Sequence, residues 1–387
     1  MANLTKNGRL DEERRAGSYL FNDNRLKLGL FGINCSGSAA ITTAPEALKV
    51  NWPNEIRIAS EADRIGLEAL IPIARWKGFG GPSNFNGTNF ETYTWAAGLG
   101  AVTRRVSVFA TSHVPTVHPI VAAKQGVTID HISDGRFGLN VVCGWFQPEF
   151  DMFGTTMQPL EDRYTYAAEW LDVLLKLWTE PGEFNHEGRY FNIKGGFSEP
   201  KPLQQPYPPI MNAGGSPVAQ QFSAKYSDVA FLLLRDHGFE GIKRQVDDYR
   251  KLAWEKFKRD IQLWSYGYVV LRPTEQEAKD YLHYYVVEKG DDAAVDNLIA
   301  VQSQQANTLR NVELYEQFKY HFKAGWGGVP MVGTADQVVD QLRLVERAGI
   351  NGMLLTFVDY DEGMRQMGEQ IIPRLEQAGL RMPVTAP

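Results

Sequence analysis

The chain has 387 residues, 43% hydrophobic and 22% charged, with a formal net charge of -6. This balance excludes a disordered or disulfide-held miniature and supplies core material for one large α/β barrel or two domains; without a basic stripe it speaks against nucleic acid or an anionic membrane as partner. The two cysteines lie far apart, no apolar run approaches the roughly 18 residues of a membrane span, and the polar N-terminus is no signal peptide, so a reducing cytoplasm fits.

Taken in chain order, residues 1–24 read as a polar N-terminal extension outside the core. The apolar run 27–33 reads as a strand, followed by a Gly/Ser/Ala/Thr loop over 34–49. Residues 51–65 space Ile56, Ala59, Ala62 and Ile65 at helical intervals. A strand at 69–74 leads into Arg75-Trp76-Lys77-Gly78-Phe79-Gly80-Gly81, a turn with two cations and two aromatics. A helix over 90–103, a strand over 106–111 and a helix over 120–132 follow. The strand at 136–143 is apolar except for one amide, Asn140. An amphipathic helix spans 161–178, and the Pro-, Gly- and aromatic-rich stretch 181–208 reads as a hairpin insertion. Residues 210–213 form a strand closed by Gly214-Gly215-Ser216, with Pro217 near a helix start. A strand at 229–234, a helix at 239–256 and a strand at 263–271 come next. Residues 274–325 are mostly helical and too long for one barrel helix, which places a second insertion near 274–330. A helix over 335–348, a strand over 352–357, a helix over 362–377 and a tail at 379–387 complete the chain.

Strands alternating with helices demand a parallel sheet, and their number favours an α/β chain folded as a TIM (β/α)8 barrel with insertions, one domain over 25–378. An open doubly wound sheet would need a phosphate fingerprint after a strand. The GxG spacing at Gly98-Leu99-Gly100 falls instead inside a helical pattern.

A barrel presents its chemistry at the C-terminal ends of its strands. The second strand leads into Ala74 and Arg75, a solvated charge or a contact for something approaching over the glycines. The third ends in Thr111, Ser112 and His113; His113 and His118 are either general bases or structural histidines. The fourth brings Asn140, Val142, Trp145 and Glu149. A buried amide needs a partner, either neighbouring backbone or a ligand's polar group. Gly214-Gly215-Ser216 before a helix is a phosphate-type anion site or a plain turn. Asp162-Arg163-Tyr164 would bring a cation and a phenol to the same anion, or simply start a helix. No HExxH, GxSxG or metal-ligand cluster is present. The spacing therefore leaves the chemistry to a cofactor.

Three segments resemble the bacterial luciferase-like superfamily, closest to its pyrimidine (uracil ring-opening) monooxygenases. They are the stretch 128–145 with Pro148-Glu149, the Gly78-Phe79-Gly80-Gly81 turn, and Leu354-Leu355-Thr356-Phe357. Gln205-Pro206-Tyr207-Pro208-Pro209 with Gly214-Gly215-Ser216 is similar to alkanesulfonate monooxygenases, and the pattern at 141–146 to dimethyl-sulfone monooxygenases. The resemblance implies a luciferase-like barrel acting as a two-component monooxygenase. FMN would arrive as FMNH2 from a separate NAD(P)H:flavin reductase. With O2 as co-substrate, a flavin peroxide would oxygenate, or open, a small electron-poor substrate such as a pyrimidine- or pyridine-type N-heterocycle. A homodimer or homotetramer is implied too.

The resemblance also implies roles. Ala74 and Arg75 would contact the isoalloxazine, and Asn140 and Glu149 the flavin or substrate. Arg163, Tyr164 and Ser216, with Gly214 and Gly215, would hold the FMN phosphate. Ile71, Thr111, Asn140 and Val142 would form the oxygen pocket. In the mechanism this suggests, Trp76, Phe79 and Trp145 wall the substrate, His113 touches it, and segments 34–40 and 325–328 gate the pocket. Three features depart from the pyrimidine pattern: Ala74-Arg75 stands for an Ile-Lys pair, His113 and His118 for small apolar residues, and Cys143 for a threonine. Cys143 is therefore expected to mark a substrate difference. The short segment 322–328 replaces the long basic lid of the sulfonate enzymes. Other readings are a sulfone, alkanesulfonate or chloroaromatic monooxygenase, a deazaflavin-dependent oxidoreductase, or a non-catalytic flavin-binding barrel.

Overall fold

Short apolar runs bounded by glycines and turns make the barrel wall. The computed structural model describes residues 18–303 and 312–384. Its strands are β1 (Lys27–Phe31), β2 (Ala69–Ile71), β3 (Ser107–His113), β4 (Phe137–Val142), β5 (Phe184–Glu187), β6 (Asn192–Gly196), β7 (Ile210–Ala213), β8 (Val229–Phe231), β9 (Gln262–Leu271), β10 (Val329–Gly333) and β11 (Gly352–Thr356). Eight of the described strands close a parallel barrel in the order β1-β2-β3-β4-β7-β8-β9-β11 and back to β1. Strands β5 and β6 pair antiparallel as a hairpin within the 181–208 stretch.

One strand escapes the sequence pattern. β10 runs along the upper half of β9, from Val329 opposite Gly267 to Gly333 opposite Leu271. Pro330 interrupts its five residues, and a proline inside a short run argues against a strand. It is tolerated because β10 pairs on one side only. The lower half of β9 closes the barrel against β8 and β11.

The barrel interior is filled by alternating large and small residues. Phe109, Trp264, Met211 and Leu354 are fully buried there. Gly138 makes room for Phe109 and Gly352 for Trp264, since a Cβ at either glycine would collide with the facing ring. Gly138→Ala should overpack this layer and cost about 1–3 kcal/mol. Urea denaturation would show it, and Phe109→Leu added to the same chain should recover part of the loss.

The two chain ends depart from the expectation of an outlying extension and tail. Leu20 and Phe21 are buried inside the barrel floor, against the cluster that holds Ala69, Val229 and Trp264. Glu68, wholly buried, explains why. Its Oε1 accepts from the Asn22 amide at 2.9 Å, and its Oε2 from Leu28 N at 2.7 Å and from Arg381 at 2.8 Å. Arg381 also donates to the Leu26 and Gly66 carbonyls. One carboxylate thus draws both ends of the described chain against the N-terminal rim of the barrel. The polar sequence around Leu20 hides this, because the partners come from distant positions. Residues 1–17 and 385–387 of the expected extension and tail lie outside the described residues.

Outside the barrel, Glu55 on the Trp52–Arg64 helix is fully buried and accepts from the Trp95 indole at 2.8 Å; its other oxygen has no partner. Burial raises its pKa from 4.5 to about 8, the indole bond opposing. Between those two values the folded chain holds one more proton than the unfolded chain, so stability falls as pH rises through this window and levels off above it. Glu55→Gln keeps the indole bond. It should remove that slope and raise stability at pH 8 by a few kcal/mol, as read from urea midpoints across the pH range. An unchanged slope would refute the assignment.

Candidate active site

The register of two neighbouring strands builds the centre of the site. Thr111 on β3 lies opposite Asn140 on β4, and His113 opposite Val142. The Thr111 hydroxyl donates its single hydrogen to the Pro72 carbonyl at 2.6 Å. It can then only accept, so the amide of Asn140 turns its Nδ2 toward it, at 3.1 Å. Asn140 Oδ1 is left buried with no partner, at the C-terminal end of the barrel. A buried acceptor without a donor costs about 1–3 kcal/mol. It is suited to a ligand N–H. Ile71 is buried one residue before Pro72, beside Phe109 in the interior cluster, and Val142 is half-buried above Asn140 on the same face of β4.

Glu149 forms the second node. It is buried at the start of the Gln147–Met152 helix. Its Oε1 accepts from the backbone N–H groups of Trp76 and Lys77, at 2.7 and 3.2 Å, and faces Arg75 Nη1 at 3.4 Å. Its Oε2 lies 3.4 Å from His113 Nδ1. Loops after β2 and β4 and the end of β3 therefore meet at one carboxylate. Arg75 is buried beside Ala74, its Nε without a partner. Its guanidinium sits 4.8 Å from the Phe79 ring, 5.3 Å from Trp145, 5.2 Å from Phe146 and 6.0 Å from Trp326. Four aromatic faces compensate partly for lost water. Burial lowers the His113 pKa to about 4, with Glu149 opposing and Arg75 adding, so the ring is neutral near pH 7.

A third group gathers at the end of β7. Gly214 is needed because a Cβ there would meet the Tyr164 hydroxyl and Ala219. Ser216 caps the Pro217–Tyr226 helix, accepting from Ala219 N at 3.3 Å. Arg163 donates to the Gly144 carbonyl and keeps a buried Nε without a partner. A helix N-terminus, a glycine pair and a cation with a spare donor make a fitting cradle for a phosphate.

Over the mouth lies an apolar lid. Phe79, Phe85 and Phe146 pack with Val295, Leu298 and Phe322 from the second insertion. Asp291 holds the turn beneath by accepting from Ser83 N and Oγ, at 2.7 and 2.6 Å, and Asn297 donates to the Phe79 carbonyl at 2.8 Å. Trp145 stacks on Phe79 at 6.1 Å.

The expected site residues separate accordingly. Thr111, Asn140, Val142, Ile71, His113, Ala74, Arg75 and Glu149 gather at the mouth. Arg163, Tyr164, Gly214, Gly215 and Ser216 gather beside it. Phe79 and Trp145 form the roof. Trp76 is 40% exposed on the rim, edge-on to Phe153 at 5.2 Å.

Cys143 does not face the mouth. Successive side chains of a strand point to opposite faces. With Asn140 turned inward, Val141 and Cys143 fall into the outer barrel–helix core. There the thiol neighbours Tyr164, and burial pushes it up to about 12. The expected substrate contact at Cys143 is corrected on this ground. Segment 34–40 is also not a free flap, because Asn86 donates to the Ser36 and Ser38 carbonyls and Gly37 N to the Leu48 carbonyl.

Sequence reasoning missed the wall opposite Asn140. Phe31, Phe231 and Tyr266 meet there with centroids 5.5–5.7 Å apart, and Tyr266 donates to the Trp326 carbonyl. Strand alternation near the ends of β1, β8 and β9 was the available signal. Among the described residues there is no metal-binding cluster, and no helix is long and apolar enough to cross a membrane.

Comparison with known proteins gives concordant matches. Residues 28–352 match the Luciferase-like monooxygenase family. The chain is 29% identical over 369 residues to the pyrimidine monooxygenase RutA of a Bradyrhizobium species, covering 92% of this chain and 99% of that protein. It is 30% identical over 358 residues to RutA of an Enterobacter species, covering 91% and 96%. Its fold superposes on that of a riboflavin lyase (RcaE), solved with modified FMN and riboflavin, with a TM-score of 0.82 at 22% identity and 94% coverage of both chains.

Proposed function

The chain belongs to the luciferase-like monooxygenase family, and from this premise we propose that it is a two-component enzyme. It takes FMNH2 from a separate reductase and uses O2 to oxygenate a small, electron-poor N-heterocycle of the pyrimidine or pyridine type. That it is a flavin-dependent monooxygenase follows from the family and the RutA relatives; the substrate and the FMNH2 supply are our reading. The observation that carries it is the buried, unpartnered Oδ1 of Asn140, turned away from Thr111 because the Thr111 hydrogen is spent on Pro72.

Reduced flavin, when bound, supplies the electrons that activate dioxygen. Arg163, Tyr164, Gly214, Gly215 and Ser216 would hold its phosphate. Asn140 Oδ1 would accept from an N–H of the flavin or of the substrate. Ile71 and Val142 would supply apolar surface for oxygen, and Thr111 fixes the amide that orients the reacting groups. Glu149 keeps Arg75 charged and in place beside them. The lid excludes water from above, which strengthens each polar contact beneath it. Trp145 and Phe79 would wall the substrate.

The test is a screen with photoreduced FMN and isotopically labelled O2 across pyrimidines, pyridines, sulfones and chlorinated aromatics. Label is expected in a ring-opened or hydroxylated heterocycle. Labelled product from sulfones alone would overturn the substrate class, and none from any class would overturn the whole proposal.

A further inference from the structure

A small cavity opens between the ends of β2 and β3. Trp76, Glu91, Thr116 and Val117 form its rim, and its inner end reaches Thr111 and His113. The rim residues are at least partly exposed and the inner pair is buried. The cavity thus joins the surface to the His113–Glu149 side of the site, beneath the lid. Its volume of about 20 Å3 suits one water molecule, which needs roughly 10–15 Å3 and polar partners. Besides Ala74, Val117 and the aromatic rings the wall carries the Glu91 carboxylate, the Arg75 guanidinium, hydroxyls of Thr92, Tyr93, Thr111 and Thr116, and the imidazole, groups that favour water over apolar dioxygen.

FMNH2 that binds as its anion gives one proton up to solvent, and oxygenation must then take one back through such a connection. With the reduced flavin as its anion, the reaction balances as substrate + O2 + FMNH− + H+ → oxygenated substrate + FMN + H2O. The flavin is oxidised by two electrons, one oxygen atom joins the substrate, and the other leaves as water with a proton drawn from solvent.

We propose that this cavity is the proton inlet of the active site and that His113 is the relay between its water and Glu149. The inference rests on the flavin-monooxygenase reading. The carboxylate 3.4 Å from Nδ1, at ion-pair distance and short of hydrogen-bond geometry, favours the ring hydrogen on that nitrogen and a lone pair on Nε2. Nε2 then takes a proton from the cavity water, which is replenished from solvent, Nδ1 releases its hydrogen to Oε2 of Glu149, and Glu149 passes it to the departing oxygen atom. Oε2 is the oxygen available for it, because Oε1 is engaged by Arg75 and two backbone N–H groups. The charged groups around the ring are Glu149, Arg75 and, at the rim, Glu91. The imidazole is neutral in the resting protein, as a relay requires.

The FMN-loaded protein, photoreduced without oxygen and mixed with oxygenated buffer, tests the relay without a substrate. Release of H2O2 from reduced flavin and O2 consumes the same proton. His113→Gln keeps a donor toward Glu149 but cannot relay. It should slow flavin reoxidation at least about tenfold and enlarge the solvent deuterium isotope effect. Val117→Trp, or the milder Val117→Phe, fills the cavity with His113 intact. Either should slow reoxidation without loss of FMN affinity. Native rates and isotope effects in both positions would overturn the relay, as would slowing that only tracks lost FMN affinity.

A second measurement stands apart from flavin chemistry. Nitrogen-15 histidine NMR of the flavin-free protein should show His113 as the Nδ1–H tautomer at neutral pH, with solvent exchange slowed by Val117→Trp. The opposite tautomer, or equal exchange, overturns the inlet. If the native protein neither binds nor reoxidises reduced FMN, the functional reading fails and the NMR result alone decides the inlet.

Discussion

Asn140→Ala is expected to lower FMNH2-dependent oxygenation by roughly 10²–10³-fold, the usual loss when one preorganised polar group at a reacting centre is removed. Retained FMN binding would locate the loss at the reacting edge instead of the phosphate. The argument runs through a single hydrogen. Thr111 gives its hydrogen to Pro72, Asn140 must therefore give one to Thr111, and the amide oxygen is left facing the site. Thr111→Val breaks the same chain one link earlier. It strands the Pro72 carbonyl and frees the amide to rotate, so turnover should fall while stability drops by about 1–3 kcal/mol. Rapid-mixing flavin kinetics and product yield measure the turnover of both variants, and urea unfolding measures the stability loss. Turnover of Asn140→Ala within threefold of the native rate would remove this residue from the mechanism.

Arg381→Met should cost about 3–5 kcal/mol of stability, because it leaves the Glu68 carboxylate buried without its cation. Side chains 1% and 0% exposed leave no water to compensate. The Leu26 and Gly66 carbonyls lose their donor in the same step. Glu68→Gln with Arg381→Met should be milder than Arg381→Met alone, since no bare charge remains. Equilibrium urea unfolding distinguishes them. A loss below 1 kcal/mol for Arg381→Met would mean that the clamp is decorative.

The barrel was legible where apolar runs end in glycine or a turn, as at β1, β3, β4 and β11. It was not legible at β10, where Pro330 breaks a five-residue run, nor at Leu20 and Phe21, whose burial depends on Glu68 and Arg381 far along the chain. In the site, Asn140 stood out as a lone amide in an apolar strand. The position of Cys143 could have been read from it, since an odd offset along a strand changes face. The meeting of Arg75, His113 and Glu149 could not. These residues come from the ends of separate strands, and only barrel closure sets their spacing.

The ten-residue β9 belongs to two assemblies at once. Its lower half is barrel wall and its upper half carries β10, which follows directly from the Val312–Gly325 helix and the Trp326-Gly327-Gly328 turn. The roof is therefore riveted along one edge to the barrel wall. Such a roof peels; it cannot lift as a whole. Access would begin at the far edge, where Asp291 and Asn297 hold the Phe79 turn by a few replaceable bonds. Amide exchange would then be graded across the roof, fast at Gly80 and Gly81 and slow toward Val329.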